Sequence, residues 1–312
     1  MSAADVLGDD PALAAATAQL GAVPKGAASV RAFFDPATST ISYVVHDPAT
    51  MRGAVIDSVL DYEAAAGRTS TASAEAIAEH ARAAGITVDW LLETHAHADH
   101  LSAAPWLKNR LGGAIAIGEH IRDVQAVFGN IFNAGPDFRR DGSDFDRLWS
   151  DGDRFAIGEL PITVLHVPGH TPACVAYAIG DVVFVGDTMF MPDYGSARAD
   201  FPGGDAQTLF RSLRRILELP GATPLFLCHD YLTAERREHR WETSVAEQRA
   251  ANVHARDGIS EDEFVERRRA RDAELAMPVL LLPSVQVNMR AGRLPPAEDN
   301  GVAYLKIPVD RH

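Results

Sequence analysis

Cysteine is scarce, basic residues are outnumbered, and no long apolar run occurs in this 312-residue chain. Two cysteines are too few for a disulfide framework, which points to a reducing compartment. No apolar stretch approaches the roughly 20 residues that span a bilayer. The first 22 residues are rich in Ala but carry Asp5, Asp9 and Asp10 where a secretory leader is basic. These features predict a soluble cytoplasmic protein. With 29 basic residues against 43 acidic ones, the net charge of −14 gives a field that repels nucleic-acid phosphates and anionic membranes. No internal repeat or low-complexity tract stands out. What remains is a globular composition, 46% hydrophobic and 23% charged. A chain of this length buries roughly 75% of its unfolded surface without covalent staples.

From residue 29 onward, short β-rich runs alternate with helical ones, the pattern of an α/β protein. Residues 41–46, 53–57, 88–94, 113–117, 162–167, 174–179, 182–185 and 224–228 read as strands. Residues 74–84, 106–111, 119–128 and 206–219 read as helices, with Gly85 suited to one helix end and Asp205 to a cap. Residues 1–28 read as an N-terminal arm closed by Pro24 and Gly26, and 132–150 as a long surface loop or lid. In the tail, 260–276 reads as a charged helix with a Ser260 and Glu263 capping box. Its Arg267, Arg268 and Arg269 are interleaved with acids and read as a solvated face. Residues 280–289 read as an apolar stretch packing back on the body.

One string dominates: Thr94-His95-Ala96-His97-Ala98-Asp99-His100, directly after an expected strand. Three imidazoles and a carboxylate within six residues are poor packing material, whereas neutral imidazole is the commonest metal ligand. His170, Asp187 and His229 each follow a strand of their own. Polar groups at strand tips are how α/β scaffolds build active sites. The pattern predicts a centre for one or two metal ions.

T-H-A-H-A-D-H followed by His170, Asp187 and His229 resembles the metallo-β-lactamase superfamily over about residues 33–231. The resemblance implies an αββα sandwich, with ligands on loops at one edge. It divides the chain into an arm (1–28), a catalytic domain (29–235) and a helical or extended C-terminal extension packed on it (236–312). In binuclear members, residues matching His95, His97 and His170 hold one metal. Those matching Asp99, His100 and His229 hold the other, and the match to Asp187 bridges. The segment from Met189 to Phe201, with Pro168–Cys174 and Leu209–Leu213, is similar to persulfide dioxygenases. Pro283–Arg290 is similar to a bacterial β-lactamase-like subgroup linked to sulfide detoxification.

That likeness implies one Fe²⁺ on His95, His170 and Asp187, with His97, Asp99, His100 and His229 around it. Its substrates would be glutathione persulfide, or a related small persulfide, and O₂. A binuclear Zn²⁺ hydrolase acting on a thioester or lactone is the alternative, and a non-catalytic metal-binding protein a third reading. The tail is unlike the helical thiol-binding domain of glyoxalase II hydrolases, which weakens the thioesterase version. Arg198 is the first candidate for a substrate carboxylate, against a structural pair with Asp200 or Asp193. Tyr194 is a second candidate contact. Cys174 and Cys228 read as packing residues, and Asp57 as a support for the ligands or a turn former. Homo-oligomerisation is the only macromolecular partnership expected.

Overall fold

The computed structural model describes residues 10–310. The first nine residues of the expected arm, and His312, lie outside the described residues. Two six-stranded sheets form the centre. In the first, Ser29–Asp35, Thr40–Asp47, Arg52–Ile56, Thr87–Leu92, Ala114–Gly118 and Arg147–Trp149 lie side by side in chain order. Its first two pairings are antiparallel and the other three parallel. The second runs Arg154–Ile157, Leu160–His166, Val175–Ile179, Val182–Phe184, Pro224–Phe226 and Glu242–Ser244, also in chain order.

Strand alternation sets the layers. Ile41, Tyr43 and Val45 turn inward to meet Ile162, Val164, Tyr177 and Phe184 of the facing sheet. Val44, between them, turns outward into a helix-covered cluster. Ala72–Ala83, Ala104–Leu111, Ile121–Ile131 and Leu281–Asn288 cover the first sheet. Pro11–Ala22, Ala206–Leu217 and Glu261–Asp272 cover the second. The architecture is the expected αββα sandwich. Ala206–Leu217 shows how the local code works: Leu209, Leu213 and Ile216 bury one face, and the Asp205 carboxylate accepts the Thr208 N–H at 2.7 Å.

Two readings change, and one element went unread. Residues 132–150 are no lid, since Phe138 and Phe145 are buried in the outer core and none of the segment lines the pocket described below. The helix Glu261–Asp272 is not solvated all round. Its Arg268 is buried against Asp272, 2.7 Å away, because the i,i+4 spacing places the carboxylate beneath it. A small third sheet, Arg68–Ser70, Val59–Glu63 and Leu101–Ser102, was not legible in runs so short and polar. Among the described residues, no helix is long and apolar enough to cross a membrane.

Candidate metal centre

The predicted ligands converge at one edge of the sandwich, each just past the end of a strand. His95, His97, Asp99 and His100 follow Thr87–Leu92, and His170 follows Leu160–His166. Asp187 follows Val182–Phe184, and His229 follows Pro224–Phe226. Two glycines let the chain pass close enough. Gly169 has φ +129° and a side chain there would strike the backbone of Leu209; Gly186 has φ +53° and faces the Thr94 hydroxyl. Asp57 is itself left-handed (φ +50°), which Asp tolerates, and its carboxylate accepts the Thr94 N–H at 2.7 Å and hydroxyl at 2.8 Å.

Each of the five histidines has one ring nitrogen held by the protein. His170 Nδ1 donates to the Arg198 carbonyl at 2.8 Å, and His229 Nδ1 to the Ser39 carbonyl at 3.1 Å. His100 Nδ1 donates to the Leu101 carbonyl at 3.0 Å. His95 Nδ1 meets the Thr94 hydroxyl at 3.0 Å, whose own hydrogen is given to Asp57. His97 Nε2 lies 3.0 Å from Asp57 and 3.4 Å from Glu93. The opposite nitrogens point inward. His95 Nε2, His97 Nδ1, His100 Nε2, His229 Nε2 and Asp187 Oδ1 are all buried without a hydrogen-bond partner.

Five orphaned ligand atoms at one place would cost the fold dearly as plain packing. One nitrogen anchored and the other free is how metal-binding imidazoles are held. The spacing agrees. Asp187 Oδ2 lies 3.7 Å from His95 Nε2 and 3.6 Å from His170 Nε2. His229 Nε2 lies 3.4 Å from both Asp99 and Asp187. Two ligands each about 2.1 Å from one ion, at a tetrahedral angle, stand about 3.4 Å apart. His95, His170 and Asp187 form one such group, and His97, Asp99 and His100 another. The residues therefore fit a metal.

The model of the metallo-beta-lactamase superfamily matches residues 37–229, the span that carries all seven of these side chains. The chain belongs to that superfamily. A probable metallo-hydrolase of Burkholderia pseudomallei is 58% identical over 292 residues, covering 90% of this chain and 99% of its own. The mitochondrial persulfide dioxygenase ETHE1 of Homo sapiens is 28% identical over 266 residues, covering 84% and 88%. Among solved structures, ETHE1 from Myxococcus xanthus superposes with a TM-score of 0.68 at 27% identity, over 85% of this chain and 100% of its own. The superfamily is one of metal-dependent enzymes, and its fold accounts for the ligand-bearing edge.

Electrostatics suit that role. Burial pushes His95 well below the ordinary imidazole value and His100 down to about 4, so both stay neutral and able to bind a cation. Burial alone would raise Asp99, but His229, His100 and His97 outweigh it and hold the carboxyl at about 2. Burial raises the Cys174 thiol to about 12 and the Cys228 thiol well above its ordinary value, so neither is a nucleophile at neutral pH.

The superfamily edge opens into a pocket of about 850 Å³ that reaches Asp99, His100, His170, Asp187 and His229. Tyr194, the second candidate contact, lines it, with its ring 5.0 Å from that of Tyr231. Arg198 also lines it, but its guanidinium grips Asp200 at 2.6 and 2.7 Å and donates to the Ala276 carbonyl. Its direct service to the site is the backbone carbonyl that orients His170. Sequence reasoning missed Glu93 and Asn288. Glu93, the charge between strand and cluster, accepts from Ser102 at 2.5 Å and flanks His97. Asn288 donates to the His97 and His100 carbonyls at 2.8 and 2.7 Å and accepts the Ser102 N–H. An amide at the end of a largely apolar helix, Val285-Gln286-Val287-Asn288, was its one sequence signal.

Proposed function

We propose that this protein is a non-haem iron dioxygenase. It oxidises glutathione persulfide, or a related low-molecular-weight persulfide, to sulfite and the free thiol. The balance is one persulfide, one O₂ and one water in, one thiol and one sulfurous acid out. The S–S bond breaks, the outer sulfur is oxidised, and O₂ is the oxidant. The observation that carries this reading is the meeting of two imidazoles and one carboxylate, His95, His170 and Asp187, beside an open pocket. Persulfide dioxygenase relatedness across most of the chain supports it.

His95, His170 and Asp187 would hold Fe²⁺, which would supply the redox chemistry between O₂ and an electron-rich sulfur. The chain itself does the rest. Arg198 O and Thr94 Oγ1 fix the tautomers of His170 and His95, so the free nitrogens face Asp187. The pocket walls orient the carrier with its terminal sulfur toward that point, which turns an encounter into a positioned reaction. His229, between Asp99 and Asp187, helps orient the substrate.

A zinc hydrolase is the second reading, favoured by the complete seven-ligand set and by the 58% identical probable metallo-hydrolase. One experiment separates them. Anaerobically prepared protein is assayed for metal and for O₂ uptake with glutathione persulfide, beside His170→Ala. About one iron per chain and persulfide-dependent O₂ uptake lost in the variant support the dioxygenase. Two zinc ions, thioester turnover and no O₂ uptake overturn it.

A further inference from the structure

Four guanidinium groups reach the pocket, and three of them are already matched. Arg198 holds Asp200, Arg268 holds Asp272, and Arg68 lies 3.1 Å from Glu63. Arg271 is different. Among the described residues it has neither a carboxylate in ion-pair range nor a side-chain hydrogen bond, and its contact is the face of Tyr194, 5.3 Å from the ring centroid. Tyr194 packs on Tyr231, and Tyr231 stacks on His229 with rings 5.5 Å apart and 18° from parallel. A continuous aromatic wall therefore leads from the metal edge to an unmatched cation at the pocket wall.

Charge makes that cation matter. The chain carries −14, and Asp35 and Asp61, away from the metal ligands, add acidic groups to the pocket lining. An anionic ligand is repelled by this field unless a local positive group offsets it. A guanidinium matches a carboxylate in shape and can bind it with two parallel hydrogen bonds. Arg271 sits on Glu261–Asp272, outside the superfamily-matched residues 37–229.

We propose that Arg271 binds a carboxylate of the thiol carrier, so that selection of carriers with a carboxylate over those without one comes from the helix Glu261–Asp272. The inference rests on the dioxygenase reading. Three successive ring contacts, of 5.3, 5.0 and 5.5 Å, lead from Arg271 to His229, which suits an extended, peptide-like carrier whose carboxylate is remote from the sulfur.

The test uses the full-length, iron-reconstituted protein and two persulfides, that of glutathione and that of 2-mercaptoethanol, which has no carboxylate. Arg271→Gln raises KM for glutathione persulfide about tenfold, the loss of one charge-assisted contact. Its kcat stays within about twofold, because the group binds ground and transition states alike. KM for the neutral persulfide does not move, and Arg271→Lys recovers part of the loss. Arg267→Gln removes the same charge from the same helix, where Arg267 pairs with Glu263, and changes neither constant. An unchanged KM in Arg271→Gln, or equal rises for both persulfides, overturns the inference and leaves the dioxygenase reading intact. No O₂ uptake with either persulfide overturns that reading and the inference together.

Discussion

The two sides of the pocket come from different parts of the chain and do different work. Residues 37–229 bring every candidate metal ligand, each at a strand tip with a backbone or side-chain anchor behind it. The C-terminal helices bring no ligand. They contribute Asn288, which ties down the loop between His97 and Ser102, and Arg268 and Arg271 at the pocket wall. Chemistry is thus concentrated where strands end, and support and selection where helices close over the edge. A metal loop with three close imidazoles needs rigid anchors, and groups distant in sequence can supply them only once the fold is closed.

The sharpest way to break this division is to remove a ligand. His170→Ala lowers metal affinity by more than about a hundredfold, beyond the loss expected from an outer contact, while the fold persists; metal content after dialysis and far-UV circular dichroism read the two parts. A normal metal content would move His170 out of the centre.

On the helical side, Arg268→Ala leaves Asp272 buried and unpaired, at a cost of about 3–5 kcal/mol in chemical denaturation. Arg267→Ala, on the exposed face, costs less than about 1 kcal/mol. Equal losses would show that the helix contributes no buried charge to the body.

Acid tests the ligand side. His100 titrates at about 4 in the folded chain against an ordinary 6.5, so the unfolded state binds the proton more readily. Its contribution is complete above about 6.5 and falls as the pH drops toward 4, by up to about 3 kcal/mol. Asp57 and Glu93, outweighing burial, raise His97, which therefore opposes this trend. Denaturation midpoints of the metal-free protein at pH 7.5 and 5 are the measurement, and the difference shrinks in His100→Gln. An unaltered pH dependence in that variant would exclude His100 as its source.

The smallest effect couples the two sides. Asn288→Ala weakens metal binding by about tenfold, the usual scale for a group that orients ligands from behind. Val285→Ala, one turn away in the same helix and also buried, lowers stability without that change in affinity. If both variants lose affinity in proportion to stability, Asn288 is merely structural.

The layers and the ligands were legible in the sequence to an uneven degree. Strong periodicity placed Ala206–Leu217 and its Asp205 cap, and alternation placed Thr40–Asp47, because both depend on neighbours a few residues away. Edge strands such as Arg154–Ile157 and Glu242–Ser244 escaped notice, since their few, mixed residues take strand form only by pairing with a neighbour. Arg198 lines the pocket, yet no sequence spacing could tell a free guanidinium from one held by Asp200.

The scarcity of cysteine and the surplus of acid already limited what this protein could be, and the imidazole-rich string after a strand marked a metal edge. These are local facts, carried by residue type and spacing. Only the tertiary structure decided which nitrogen of each histidine faces the centre. The partners that hold His97, His170 and His229 are Asp57, Arg198 and Ser39, which lie tens of residues away or farther. It also decided that Arg271, of four arginines at the pocket, is the one left unmatched. A hydrogen bond or ion pair between distant segments leaves no periodic trace in the chain; it exists only when packing brings the two groups together.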